Sequence, residues 1–87
     1  MKDRETIITE LKEIITPFTE ETAALEAITE DTDFIKDLKI NSANLVDIIL
    51  DIEDRFGIEI DNDSMAKMLN VRASIEVIEE KLAANAG

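Results

Sequence analysis

A chain of 87 residues without Cys, His, Trp or Tyr makes one domain, spanning 1–87, with no disulfide, no thiolate and no imidazole, which closes most routes to soft-metal or general-base catalysis. Its 21 acidic residues against 9 basic ones leave a net charge of −12, which repels nucleic acid and anionic membranes and attracts a partner with a basic patch. No apolar run approaches the roughly 18–20 residues that span a bilayer, and the polar opening Met1-Lys2-Asp3-Arg4-Glu5 does not read as a signal peptide, so a cytoplasmic protein with no membrane insertion is expected.

Ile7, Ile8, Leu11, Ile14 and Ile15 repeat with the spacing of one buried helical stripe, with Glu10, Lys12 and Glu13 outside it. Pro17 stops this first helix. A long connection rich in Thr, Glu and Asp follows to Ile40, with room for a short helix around Glu20–Ala27. Ile28, Phe34, Ile35 and Leu38 are its apolar anchors, and they predict a connection packed down on the core rather than a free loop. The second main helix runs from Ser42 to Phe56, between Asn41 as N-cap and Gly57 as C-cap. Ile58-Glu59-Ile60 is a short extended link. Asn62 to Leu69 forms a brief helix with Met65, Met68 and Leu69 inward. Asn70 caps a last helix whose buried side is marked by Val71, Ile75, Ile78 and Leu82, and Ala83 to Gly87 is expected to fray. The fold class is therefore all-α: a small irregular four-helix bundle with a long first loop.

The helix from Ser42 carries three distinct arcs. Leu45, Ile48, Ile49, Ile52 and Phe56 share the core arc at 100° per residue. Ala43, Val46 and Leu50 lie beside it, and Asp47, Asp51 and Asp54 come next round. An apolar strip with an acidic rim suits a partner with an apolar centre and a basic rim. Equally, Val46 and Leu50 could simply pack beneath the long loop. The Asp-rich stretch is no calcium loop, since neither Asp51 nor Asp61 as a first ligand puts Gly at the sixth position. No specific metal site is expected, only weak, nonspecific binding of divalent ions by clustered carboxylates.

Ser42 offers the one clear piece of chemistry. A hydroxyl at a helix start lies among free backbone N–H groups at the positive end of the helix, where a phosphate is well received. On position alone, an ordinary helix-start serine is the commoner explanation. The wider register changes that balance. The first helix, the segment Ile28-Thr29-Glu30-Asp31-Thr32-Asp33-Phe34-Ile35-Lys36-Asp37-Leu38, the serine opening the next helix, the run from Leu45 to Ile60 and the ending Val71-Arg72-Ala73-Ser74-Ile75-Glu76-Val77-Ile78 together resemble the acyl carrier proteins and related phosphopantetheine carrier domains.

That resemblance implies a monomeric carrier, not an enzyme. A phosphopantetheinyl transferase would attach 4′-phosphopantetheine to Ser42, and acyl-transferring or condensing enzymes with basic patches would dock on Asn41, Ala43, Val46, Asp47, Leu50, Asp51 and Asp54. The acyl chain would slip between the second main helix and the elements after it, against Phe34, Leu45, Ile49, Met65 and Met68. The family's usual Asp-Ser-Leu reads Asn41-Ser42-Ala43 here, and its usual Gly two places before that Asp is Lys39. These departures weaken the case for recognition by the general enzymes of fatty acid synthesis, and the run from Leu45 to Gly57 is more similar to specialised carriers of lipid-A acylation, nodulation-factor or secondary-metabolite pathways than to the housekeeping one. An aminoacyl or D-alanyl carrier, or an acidic helical interaction module without prosthetic group, are the other readings the residues leave open.

Overall fold

Residues 3–86 are described by a computed structural model, and they form α1 (Arg4–Ile15), a 3-10 turn (Thr16–Phe18), α2 (Thr22–Glu26), α3 (Ser42–Phe56), α4 (Asn62–Lys67) and α5 (Val71–Ala86). The four expected helices are present, and the short fifth, α2, lies in the long first connection. Helix α1 packs on α3 and α5, and α4 packs on α5. Among the described residues no helix is long and apolar enough to cross a membrane.

The helix ends explain why the elements start and stop where they do. Asp3 caps α1, its carboxylate accepting from the Thr6 N–H at 2.8 Å. That backbone N–H, then the Thr6 side chain, holds the Asp3 carboxyl below the usual carboxylate range. A depressed acid stabilises the fold above its unfolded pKa and loses that contribution as pH falls through the folded value, so the cap acts at neutral pH and fades in acid. Pro17 has no N–H to extend α1, and the chain tightens into the 3-10 turn instead. Gly57, at φ 66°, closes α3 in the left-handed conformation, and the Ile58 N–H reaches back to the Glu53 carbonyl at 3.1 Å. The Glu53 carboxylate also accepts from the Ile60 N–H at 2.7 Å, so one residue holds both turns of the link to α4.

The core is aliphatic. Ile7, Leu11, Ile14 and Ile15 of α1 meet Leu45, Ile48, Ile49, Ile52 and Phe56 of α3 and Val71, Ile75, Val77 and Ile78 of α5 in one buried cluster. The long connection is packed down, as its anchors predict. Phe34 and Leu38 are buried, and the backbone of residues 32–34 pairs with that of 69–71 through Phe34 N–H to Leu69 O (3.1 Å) and Val71 N–H to Thr32 O (2.9 Å).

Four features depart from expectation. Ile35, expected as an anchor, is 40% exposed, because the turn after Asp33 is built on the Asp33 carboxylate accepting from the Ile35 and Lys36 N–H groups and turns Ile35 outward. Leu69, expected inward, is 47% exposed. Helix α4 ends at Lys67, and Leu69 belongs to the paired segment instead of a helical face. The backbone of α5 stays helical through Ala86, beyond the expected fraying point at Ala83, while Gly87 lies outside the described residues. Glu10 is half-buried rather than outward, its carboxylate 4.0 Å from the Arg55 guanidinium of α3.

Candidate functional site at the start of the third helix

Ser42 is the first residue of α3, and the cap before it is complete without it. The Asn41 carboxamide oxygen accepts from the Ala43 N–H at 2.9 Å, and the Asn41 carbonyl accepts from the Asn44 N–H at 2.8 Å. The exposed Ser42 hydroxyl takes part in neither bond. Asn41 thus does the capping that the more usual Asp would do, without adding a negative charge beside the hydroxyl. A phosphodiester on Ser42 would sit in the positive field of a helix of 15 residues, worth about 0.3–1 kcal/mol. An exposed hydroxyl at a helix start is chemically suited to bear 4′-phosphopantetheine.

The approach to Ser42 is held in place by the preceding loop. The Ile40 N–H donates to the Phe34 carbonyl at 3.0 Å, and the Thr19 hydroxyl donates to the Leu38 carbonyl at 2.6 Å. A cleft of about 440 Å³ lined in part by Phe18, Glu21, Leu38, Lys39, Asn41 and Asn44 adjoins this junction. Between those anchors the chain must reverse, and Lys39 does so at φ 53°, a left-handed conformation disfavoured for a residue with a Cβ. Lys39→Gly is accordingly expected to raise stability by about 0.5–1 kcal/mol, which is about 3–6 °C in Tm. Thermal unfolding of the two proteins checks this. A variant no more stable than the parent would show that the loop carries no strain.

Along α3 the surface residues form one continuous strip. Val46 is 46% exposed and Leu50 54% exposed, so neither packs beneath the long loop. Ala43, Asp47, Asp51 and Asp54 are exposed beside them. Four of the bases are paired with other acids. Arg4 pairs with Glu30 and Glu79, Arg72 with Asp31 at 2.9 Å, Arg55 with Glu13 at 3.8 Å, and Lys81 with Asp61 at 3.3 Å. Among the described residues no ion pair neutralises Asp47, Asp51 or Asp54, so this face presents its negative charge outward. Those carboxylates do not converge with other acids into a group able to hold a metal ion, among the described residues.

Phe34, Leu45, Ile49 and Met68 are buried in the core cluster, and Met65 packs half-buried against it. Met65 is the member of this set that reaches the surface. Among the buried residues that escape the sequence reading are Leu25, Thr32, Ile40, Val77 and Ser74, of which the fully buried Ser74 of α5 is polar. Its position, between Val71 and Ile78 at helical spacing, is the signal that could have found it.

The chain is similar to known proteins along most of its length. The family model described as "Phosphopantetheine attachment site" matches residues 9–78. The chain is similar to the acyl carrier protein of Coprothermobacter proteolyticus, 34% identical over 80 residues, covering 92% of this chain and 95% of that one. It is 35% identical to the acyl carrier protein of Thermotoga maritima over 83 residues, covering 94% and 99%. A shorter match to the Lactobacillus acidophilus acyl carrier protein reaches 42% identity over 53 residues, covering 61% of this chain and 66% of that one. With an all-helical fold, a family match across most of its length and relatives matched nearly end to end, this chain belongs to the acyl carrier protein family, whose prosthetic group is 4′-phosphopantetheine.

Proposed function

We propose that this chain carries acyl intermediates as thioesters on a 4′-phosphopantetheine arm attached to Ser42, serving fatty acid, lipid or secondary-metabolite biosynthesis in the cytoplasm. It supplies position and recognition and catalyses nothing itself. The observation that carries the reading is the exposed Ser42 hydroxyl at the N-terminus of α3, left out of a cap that Asn41 completes alone. When attached, the arm supplies the thiol that a Cys-free chain lacks.

The chain's own residues do three things in this scheme. The start of α3 places the phosphodiester in a favourable field. The strip formed by Asn41, Ala43, Val46, Asp47, Leu50, Asp51 and Asp54, with its apolar centre and acidic rim, receives the transferase and the acyl-handling enzymes. Phe34, Leu45, Ile49, Met65 and Met68 bound the region into which an acyl chain folds back, with Met65 flexible enough to yield to it. Ala43 removes a large apolar contact next to Ser42, which favours dedicated partners over the general enzymes of fatty acid synthesis.

The test is to load the protein with coenzyme A and a transferase, then with a radiolabelled fatty acyl donor and its acyl transferase. Label released by neutral hydroxylamine, and absent in Ser42→Ala, is the expected result. A wild-type protein that takes up the arm but accepts only amino acids would replace the acyl cargo with an aminoacyl one.

A further inference from the structure

Ser74 stands out within the core. It is 0% exposed, and its Oγ is buried with no hydrogen-bond partner in the fold. A helical serine commonly returns its hydroxyl to the carbonyl four residues back. Here that carbonyl, Asn70 O, takes the Ser74 backbone N–H at 3.1 Å, and the hydroxyl remains unmatched. Val71 and Ile78, one turn to either side, belong to the apolar core cluster. The first turn of α5 is fixed beside Phe34 by the pairing of residues 32–34 with 69–71. An unmatched donor and acceptor therefore sits in a largely apolar interior, on the helix bordering the segment that holds Phe34, while the buried Thr32 hydroxyl of that segment is engaged by the Thr29 N–H at 2.9 Å.

A buried polar group without a partner is costly in a resting protein, and it becomes favourable only when something brings it a partner. Water is one such partner, but the core residues one turn to either side, Val71 and Ile78, offer it no further contacts. An oxygen on an acyl chain is another, and it arrives with the cargo. We propose that the Ser74 hydroxyl is the polar recognition element of the cargo region, hydrogen bonding to a hydroxyl or keto oxygen on the acyl chain. The domain would then shelter oxygenated chains in preference to saturated chains of equal length. A serine serves both, because its hydroxyl donates to a keto oxygen and accepts from a hydroxyl. Ser74 acts on binding only and takes no part in chemistry. This inference rests on the acyl-carrier reading above.

The experiment loads the phosphopantetheinylated protein with either a saturated acyl group or the 3-hydroxyacyl group of the same length. Thioester lifetime toward neutral hydroxylamine is measured in the wild type, Ser74→Ala and Ser74→Thr. Each lifetime is divided by that of the same acyl group on free pantetheine, which removes the intrinsic reactivity of the thioester. The wild type is expected to protect the 3-hydroxyacyl group about fivefold better than the saturated one, the effect of one neutral hydrogen bond. That ratio should fall to about one in Ser74→Ala and recover in Ser74→Thr. A purely structural role for Ser74 would change protection of both chains together and leave the ratio unmoved, and that result would overturn the proposal. So would better protection of the saturated chain by the wild type. Loading without protection of either chain would overturn the cargo region and Ser74 together, while leaving the carrier reading intact. No loading at all would remove the carrier reading and Ser74's role with it.

Discussion

Reversing Asp47 and Asp51 to Lys is expected to slow association with the phosphopantetheinyl transferase by about 10–10²-fold at low salt, with little change in the rate of dissociation. The reason is local. The net charge is −12, and among the described residues no ion pair engages Asp47, Asp51 or Asp54, although Arg55, paired with Glu13, shares a cleft with Asp51 and Asp54. Asp47 and Asp51 therefore add un-neutralised charge along the edge of the helix that Ser42 opens. The penalty should shrink as the screening length falls to about 8 Å near physiological ionic strength. Leu50→Ala should behave differently: loss of a desolvated contact from the middle of the strip raises the off-rate, by about 1–2 kcal/mol, with little salt dependence. The control is Glu80→Lys on α5, where Glu80 is exposed. Glu10 cannot serve, because it is half-buried against Arg55 and its reversal would disturb the α1–α3 contact. Stopped-flow association rates across a salt series decide the matter. Equal slowing by Glu80→Lys would show that total charge, not this surface, guides the encounter.

Phe34→Ala is expected to cost about 3–5 kcal/mol, a large part of the roughly 5–15 kcal/mol that holds a domain of this kind folded. Phe34 is 1% exposed, and its backbone both donates to Leu69 and accepts from Ile40. It therefore anchors the long connection to the α4–α5 link and, through Ile40, to the approach to Ser42. Removing the ring leaves a cavity whose walls are tied by backbone hydrogen bonds and cannot easily collapse. Its neighbour Ile35 makes the contrast, since it is 40% exposed and Ile35→Ala should change stability by no more than about 0.5 kcal/mol. Urea unfolding of both variants checks the pair. Comparable losses from the two would mean that the connection is held by its overall apolar content and not by Phe34.

What could be read from the chain, and what could not, follows from where the determining forces lie. Asn41, Gly57, Asn70 and Pro17 act on the few residues around them, so the C-terminal end of α1, both ends of α3 and the start of α5 are legible from local chemistry. The stripe Leu45, Ile48, Ile49, Ile52 and Phe56 is legible because a long helix repeats its signal over four turns. Leu69 is not, because its outward orientation depends on residues 32–34 finding residues 69–71, a pairing between segments far apart in the chain, and Ile35 is turned outward by the side-chain turn on Asp33, which apolar patterning does not report. Glu10 falls in the same class, since its environment is set by Arg55 of another helix. At the candidate site, Ser42 and its Asn41 cap are readable from their order alone. The strain at Lys39 is not, because nothing local to Lys39 demands φ 53°; the hydrogen bonds at Leu38 and Ile40 impose it.

The central claim, that Ser42 is the attachment point of the arm, is tested most directly by intact-mass analysis after co-expression with a phosphopantetheinyl transferase, followed by fragmentation of the peptide containing residues 40–55. The account predicts one phosphopantetheine adduct on the wild-type chain, located at Ser42, and an unmodified Ser42→Ala chain that remains folded by circular dichroism. An adduct persisting on Ser42→Ala, or a folded wild-type chain that transferases of several specificities all leave unmodified, would contradict it.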